Sequence, residues 1–144
     1  ALKKATYFHQ KYHIPTISDD SGLEVEALDG YPGIFSARIG ENDVKRNQIV
    51  LDKLANKSNR TAQMVSVIAI VDDDAMVFRG SIQGKITSKP IGSHGFGYDS
   101  IFYVERLDKT FGQVSRQEKL TISHRGIALK NLMNHLEGEN DEFN

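Results

Sequence analysis

The sequence predicts an α/β domain, and three observations carry that prediction. Apolar residues recur at helical spacing at the start of the chain (Leu2, Ala5, Phe8) and near its end (Ile127, Ala128, Leu132, Met133, Leu136). Thr61 to Val71, rich in Val and Ile, reads as a long buried strand. Between them a capped helix opens at Asn42, with further extended segments on either side. At 144 residues the length prior gives one domain, 1–144, large enough to bury a real core.

Taken in order, the first helix runs to about Lys11 or Tyr12 and stops before Pro15, because a residue preceding proline prefers extended geometry. It reads as a helix already under way, with no capping residue and no initiator Met, so residues before Ala1 are expected to be missing. His9 and His13 would share a face of it, but no third ligand is apparent and they read as surface histidines. Leu23 to Leu28 alternates like a half-buried strand, and Asp29-Gly30-Tyr31-Pro32-Gly33 is a turn. The helix from Asn42 to about Ala55 should bury Val44, Val50, Leu51 and Leu54. Asp72-Asp73-Asp74 reads as the solvated tip of a hairpin whose return is Ala75 to Arg79, with a bent strand from Gly80 to Ile86 and another from Ile101 to Val104. Ser115 and Glu118 form a capping box for a short helix, and Ser123 caps the last one. The polar end, Glu139 to Asn144, is expected to fray.

Composition narrows the chemistry. The formal net charge of −1 supplies no global field for nucleic acid, and no apolar run approaches membrane-spanning length. The absence of cysteine removes disulfides, zinc–thiolate sites and a cysteine nucleophile, and it fits a reducing cytosol; the expected location is cytoplasmic.

Three stretches remain. Ser18-Asp19-Asp20-Ser21-Gly22 reads as an acidic loop where a strand leaves the core. Neighbouring side chains of an extended backbone face opposite ways, so one of the two acids should do most of the work. A carboxylate there can hold Mg²⁺ or orient and deprotonate a water, although Asp-Asp-Ser-Gly is also an ordinary turn sequence. Pro90 to Asp99 is rich in glycine and offers Phe96 and Tyr98 as flat faces, but it is neither a Walker loop nor a dinucleotide fingerprint. His124 and Arg125 fall in the first turn of the last helix, where the helix dipole disfavours cations, and Lys119 is near in sequence; an anion site would explain the placement.

Ser18-Asp19-Asp20-Ser21-Gly22-Leu23, Pro32-Gly33 with Ser36-Ala37-Arg38, Gly95-Phe96-Gly97-Tyr98-Asp99, and Ser123-His124-Arg125 with Ala128-Leu129 occur in an order and spacing that resembles the inosine triphosphate pyrophosphatase family. The resemblance implies a two-lobed α/β fold, a long mixed β-sheet flanked by helices with a nucleotide cleft between the lobes, and a homodimer. It implies Mg²⁺-dependent hydrolysis of non-standard purine nucleoside triphosphates (ITP, dITP, XTP) to the monophosphate and pyrophosphate. Carried over by position, Asp20 is the catalytic acid and metal ligand, Ser21 a substrate contact, and Phe96, Gly97, Tyr98 and Asp99 the base loop. Lys119, His124 and Arg125 complete the substrate contacts, and Lys4 reaches the phosphates. Two departures stand out. Ser100 replaces the usual proline and should loosen the loop. The family's N-terminal phosphate loop and a metal-binding glutamate would precede Ala1, so a nucleotide-binding module without hydrolysis is the alternative. On either reading, Asp20, Phe96 and Arg125 should meet across one groove.

Overall fold

A computed structural model describes residues 1–141, with side chains to residue 138; residues 142–144 of the expected frayed end, and the side chains of 139–141, lie outside the described residues. The elements are α1 (Leu2–Tyr12), β1 (Thr16–Val25), α2 (Asp43–Lys53), β2 (Thr61–Val71), β3 (Ala75–Ile86), β4 (Phe102–Val104), β5 (Lys109–Thr110), α3 (Arg116–Ile122) and α4 (His124–Asp141). The five strands form one sheet in the order β1-β2-β3-β4-β5. The α/β class holds, and every ladder among the described residues is antiparallel, where the resemblance implied a mixed sheet.

The long strands β1 to β3 serve three separate cores. At one end Leu23, Met64 and Ile82 pack with Val50, Leu51 and Leu54 of α2 and with Phe102, Phe111 and Val114. At the other end the sheet is covered on both faces. Ala5 of α1 meets Ala69 and Val71 on one side, and Ala128 and Leu132 of α4 meet Ile68 on the other. Residues 68 and 69 are neighbours in a strand, so they necessarily face opposite layers. The small Ala5 and Ala69 leave α1 close to the sheet, which sets where its first turn lies beside β1.

Four expectations change. Ser18 to Gly22 is not a loop; β1 runs straight through it, with Asp19 opposite Ile68, Asp20 opposite Val67 and Gly22 opposite Val65. The long, Val- and Ile-rich β2 offers a complete ladder, and pairing along it outweighs the local turn preference of Asp, Ser and Gly. Second, β1 ends at Val25, and Glu26–Leu28 is a 3₁₀ turn closed by Asp29 and Gly30 at positive φ. Third, the hairpin return and the bent strand are one continuous β3. Gly80, at the start of the expected bent strand, lets α4 approach: a Cβ there would lie 2.1 Å from the His124 carbonyl oxygen.

Fourth, two helical stripes are narrower than their patterns. Val44 is 80% exposed, and Asn47 is buried instead. The inward line at that end of α2 passes through Asp43 and Asn47, and Val44 is turned about 100° from Asp43. Likewise Met133 is exposed, one step round from the buried Leu132. Asn42 and Ser115 cap their helices as expected, Asn42 Oδ1 accepting from Lys45 N at 2.9 Å and Ser115 Oγ from Glu118 N at 3.2 Å. The reciprocal capping box, however, forms at Thr110 and Gln113 rather than at Ser115 and Glu118. Asp72 to Asp74 are exposed at the hairpin tip.

Candidate active site

A cleft opens where β1, the start of α2, the 96–100 loop, α3 and the start of α4 converge, and Ser21, Phe96, Gly97, Tyr98, Asp99, Lys119, His124 and Arg125 all line it. Eight of the ten residues expected at the site are therefore brought together. Lys4 and Asp20 are not among the cleft-lining residues.

The separation follows from strand geometry. Ser21 and Asp19 point to the α4 side of β1, and Asp19 Oδ2 accepts from Arg125 Nε at 3.1 Å. Asp20 emerges on the α1 side, 65% exposed at its side chain and 3.7 Å from the Ala1 amino group. Lys4 reaches the same stretch of strand, its Nζ donating to the Asp19 carbonyl at 2.7 Å. The two halves share β1, and β1 is the outermost strand among the described residues. A ligand lying across that edge could touch both.

The cleft half is built around Phe96, whose ring is 62% exposed. Lys119 Nζ lies 4.8 Å and the Arg125 guanidinium carbon 5.2 Å from its centroid. The loop that presents it is tied at several points. Asp99 Oδ2 accepts from Phe96 N at 2.8 Å and from Lys119 Nζ at 2.5 Å, the Tyr98 hydroxyl donates to the Ser36 carbonyl at 2.6 Å, and Asp43 Oδ2 accepts from Gly97 N at 2.6 Å. Gly95 and Gly97 hold the positive φ that this turn needs. Burial of the Tyr98 phenol, first among its causes, pushes its pKa up to about 12. It therefore stays a donor at any physiological pH.

Ser100 does not loosen the loop as expected. Its Oγ accepts from Asn47 Nδ2 at 3.0 Å, a bond proline could not make. Sequence reading also missed Asp43 and Arg46, which line the cleft and pair at 2.5 Å. The one available signal was their place in the first turn of a capped helix. Ser36, in the Ser36-Ala37-Arg38 motif, supports the cleft from beneath. Its Oγ accepts from Leu23 N at 2.9 Å and donates to the Gly33 carbonyl at 2.6 Å, fixing the edge of β1 at the cleft floor.

Two features of the described structure offset the expected dipole penalty at His124 and Arg125. Arg125 has Asp19 as its counter-charge. Burial, and then the Lys119 and Arg125 charges, push the His124 pKa down to about 4, so the imidazole is neutral near pH 7. Its buried Nδ1 has no hydrogen-bond partner among the described residues. In the unfolded chain this histidine returns to a pKa of about 6.5 and takes up a proton first as pH falls. Its contribution to stability is thus complete above pH ~6.5 and is lost as pH falls toward ~4, on the order of 3 kcal/mol in all. Denaturant unfolding at pH 7.5 and pH 4.5 should show a smaller loss for His124→Gln than for the parent.

Among the described residues no three His, Cys, Asp or Glu side chains gather as a metal cluster. Asp20 is the accessible carboxylate at the edge of β1, since Asp19 is engaged by Arg125. That donor set fits Mg²⁺, which keeps water ligands and commonly takes one or two carboxylates plus substrate phosphates.

An exposed aromatic ring with two cations close by, beside a strand edge carrying an exposed carboxylate, gives this α/β protein an arrangement suited to a ring-bearing anion. The chain belongs to the Ham1 family, whose sequence model matches residues 1–135. Over 128 residues it is 50% identical to the dITP/XTP pyrophosphatase of Staphylococcus aureus (strain Mu50), an alignment covering 85% of this chain and 66% of that protein. It is 45% identical over 137 residues to the dITP/XTP pyrophosphatase of Flavobacterium psychrophilum, covering 92% of this chain and 72% of that one. The solved structure of the Staphylococcus aureus Ham1 protein superposes with a TM-score of 0.91 at 45% identity, over 94% of this chain and 73% of the other. A Ham1 protein from Coxiella burnetii gives 0.91 at 39% identity, over 96% and 75%. The chain thus spans about two thirds of the length of the Staphylococcus relatives it matches. Among the described residues no helix is long and apolar enough to cross a membrane.

Proposed function

We propose that this protein hydrolyses non-standard purine nucleoside triphosphates (ITP, dITP and XTP) to the monophosphate and pyrophosphate, with Mg²⁺. The observation that carries the reading is the exposed Phe96 ring with Lys119 and Arg125 4.8 Å and 5.2 Å from its centroid, in a cleft beside β1. The naming of relatives at up to 50% identity as dITP/XTP pyrophosphatases supports the choice of substrate.

The purine stacks on Phe96, a contact worth about 1–3 kcal/mol for a base on an aromatic ring. Inosine and xanthosine carry an acceptor oxygen where adenine carries a donor amine, so a donor from Arg125 accepts the former and leaves the latter badly paired. The triphosphate runs across β1 to the α1 side. There Lys4 faces the leaving phosphates, and Asp20 orients and deprotonates the water that attacks the α-phosphorus. Asp20 would hold Mg²⁺, which would supply positive charge to offset the negative charge developing on the leaving pyrophosphate. The homodimer implied by the family resemblance and a cytoplasmic site of action, with the nucleotide pool, complete the proposal.

Pyrophosphate release with Mg²⁺ is the test. Turnover of ITP and XTP should exceed that of ATP by roughly 10²-fold or more, the discrimination expected where buried polar groups would be left unpaired. Tight binding of ITP with no release of pyrophosphate would replace the enzyme with a nucleotide-binding module.

A further inference from the structure

We propose that Asn47 is a positioning residue for base recognition: through Ser100 it holds one end of the 96–100 loop and so sets the plane of the Phe96 ring. The inference rests on the function proposed above.

Asn47 is 5% exposed, does not line the cleft, and donates from Nδ2 to Ser100 Oγ at 3.0 Å. Asp43, four residues earlier, accepts from Gly97 N at 2.6 Å. Residues four apart share a helix face, so one face of α2 grips the loop near both ends. Phe96 has no polar group on its side chain; its ring follows the backbone at 96 and 97, and Gly95 and Gly97 flank it at positive φ. Glycines leave a loop many alternatives, so ties must select one.

The Asn47 tie is selective because of its burial. Its Oδ1 is buried without a partner, leaving Ser100 as the one hydrogen-bonding group the described structure offers this side chain. Any loop arrangement that withdraws Ser100 strands a desolvated amide, and a hydrogen bond is stronger in such surroundings than in water. The platform is therefore held in place before a guest arrives, which removes part of the ordering cost from binding.

The test combines calorimetric binding of ITP with steady-state turnover. Ser100→Ala should raise the dissociation constant and KM for ITP roughly fivefold, the factor associated with one neutral hydrogen bond, with kcat changed less than about twofold. Ser100→Thr keeps the hydroxyl and should behave as the parent. Asn47→Leu should match Ser100→Ala, and the double variant should be no worse than either, because both remove one bond. If Asn47→Leu fails to fold, the Ser100 pair carries the test. A purely structural role would instead lower kcat through loss of folded protein and leave KM alone; that result, or an unchanged dissociation constant in Ser100→Ala, overturns the proposal. A parent chain that binds no ITP overturns the function as well, whereas a parent that binds beside an indifferent Ser100→Ala overturns the latch alone.

Discussion

Asp20→Asn is expected to reduce ITP turnover by roughly 10²–10⁴-fold, the range supplied by a positioned acid or base, while nucleotide binding survives. The fold should hardly respond. Asp20 joins the sheet through its backbone opposite Val67, and its side chain is 65% exposed, with one ionic contact at 3.7 Å. Exposed substitutions of this kind stay within about 0.5 kcal/mol, so thermal unfolding should be unchanged. Asp19→Asn is the informative companion. It removes the counter-charge of Arg125, in a pair whose side chains are 41% and 52% exposed, so the effect should stay under ~1 kcal/mol and appear mainly in KM. Asparagine at both positions keeps shape and removes charge, so the contrast isolates which face of β1 performs the chemistry. Full turnover in Asp20→Asn, or a collapse confined to Asp19→Asn, would move the reacting acid to the cleft side.

Gly80→Ala is the second large effect, acting on both stability and binding. A Cβ at this position would lie 2.1 Å from the His124 carbonyl oxygen, 2.4 Å from Ala128 N and 3.0 Å from the Ile127 Cβ. Two of these are helix backbone atoms that cannot swing aside, so α4 must lift from β3. Overpacking of this kind costs up to about 3 kcal/mol. The first turn of α4 carries His124 and Arg125, so the displacement should also weaken ITP binding at least tenfold. Gly138→Ala is the control, because nothing lies within 4 Å of its added Cβ; in a helix it should stabilise by up to ~1 kcal/mol. Denaturant unfolding and calorimetry on the two variants read both effects. A Gly80→Ala protein with parental stability and affinity would mean that α4 is not seated on that glycine.

Much of this architecture was legible because it rests on short-range rules. The Val- and Ile-rich run at 61–71, the Asn42, Ser115 and Ser123 caps and the aspartate hairpin tip are local patterns, and each appears where expected. Motif order also picked out eight residues that line one cleft. The misreadings occurred where a partner distant in sequence decides. Ser18 to Gly22 looks like a turn until β2 supplies a ladder for it, and Val44 looks buried until Asp43 and Asn47 turn toward the 96–100 loop.

What this sequence determined unaided is the α/β class and the position of most helices and strands, because periodicity and capping act within a few positions. Tertiary structure alone decided that Asp19 and Asp20 serve opposite faces of an edge strand, that His124 is neutral, and that Ser100 is anchored rather than loose. Each of those outcomes depends on burial and on groups tens of residues away, and a linear pattern does not encode such distances.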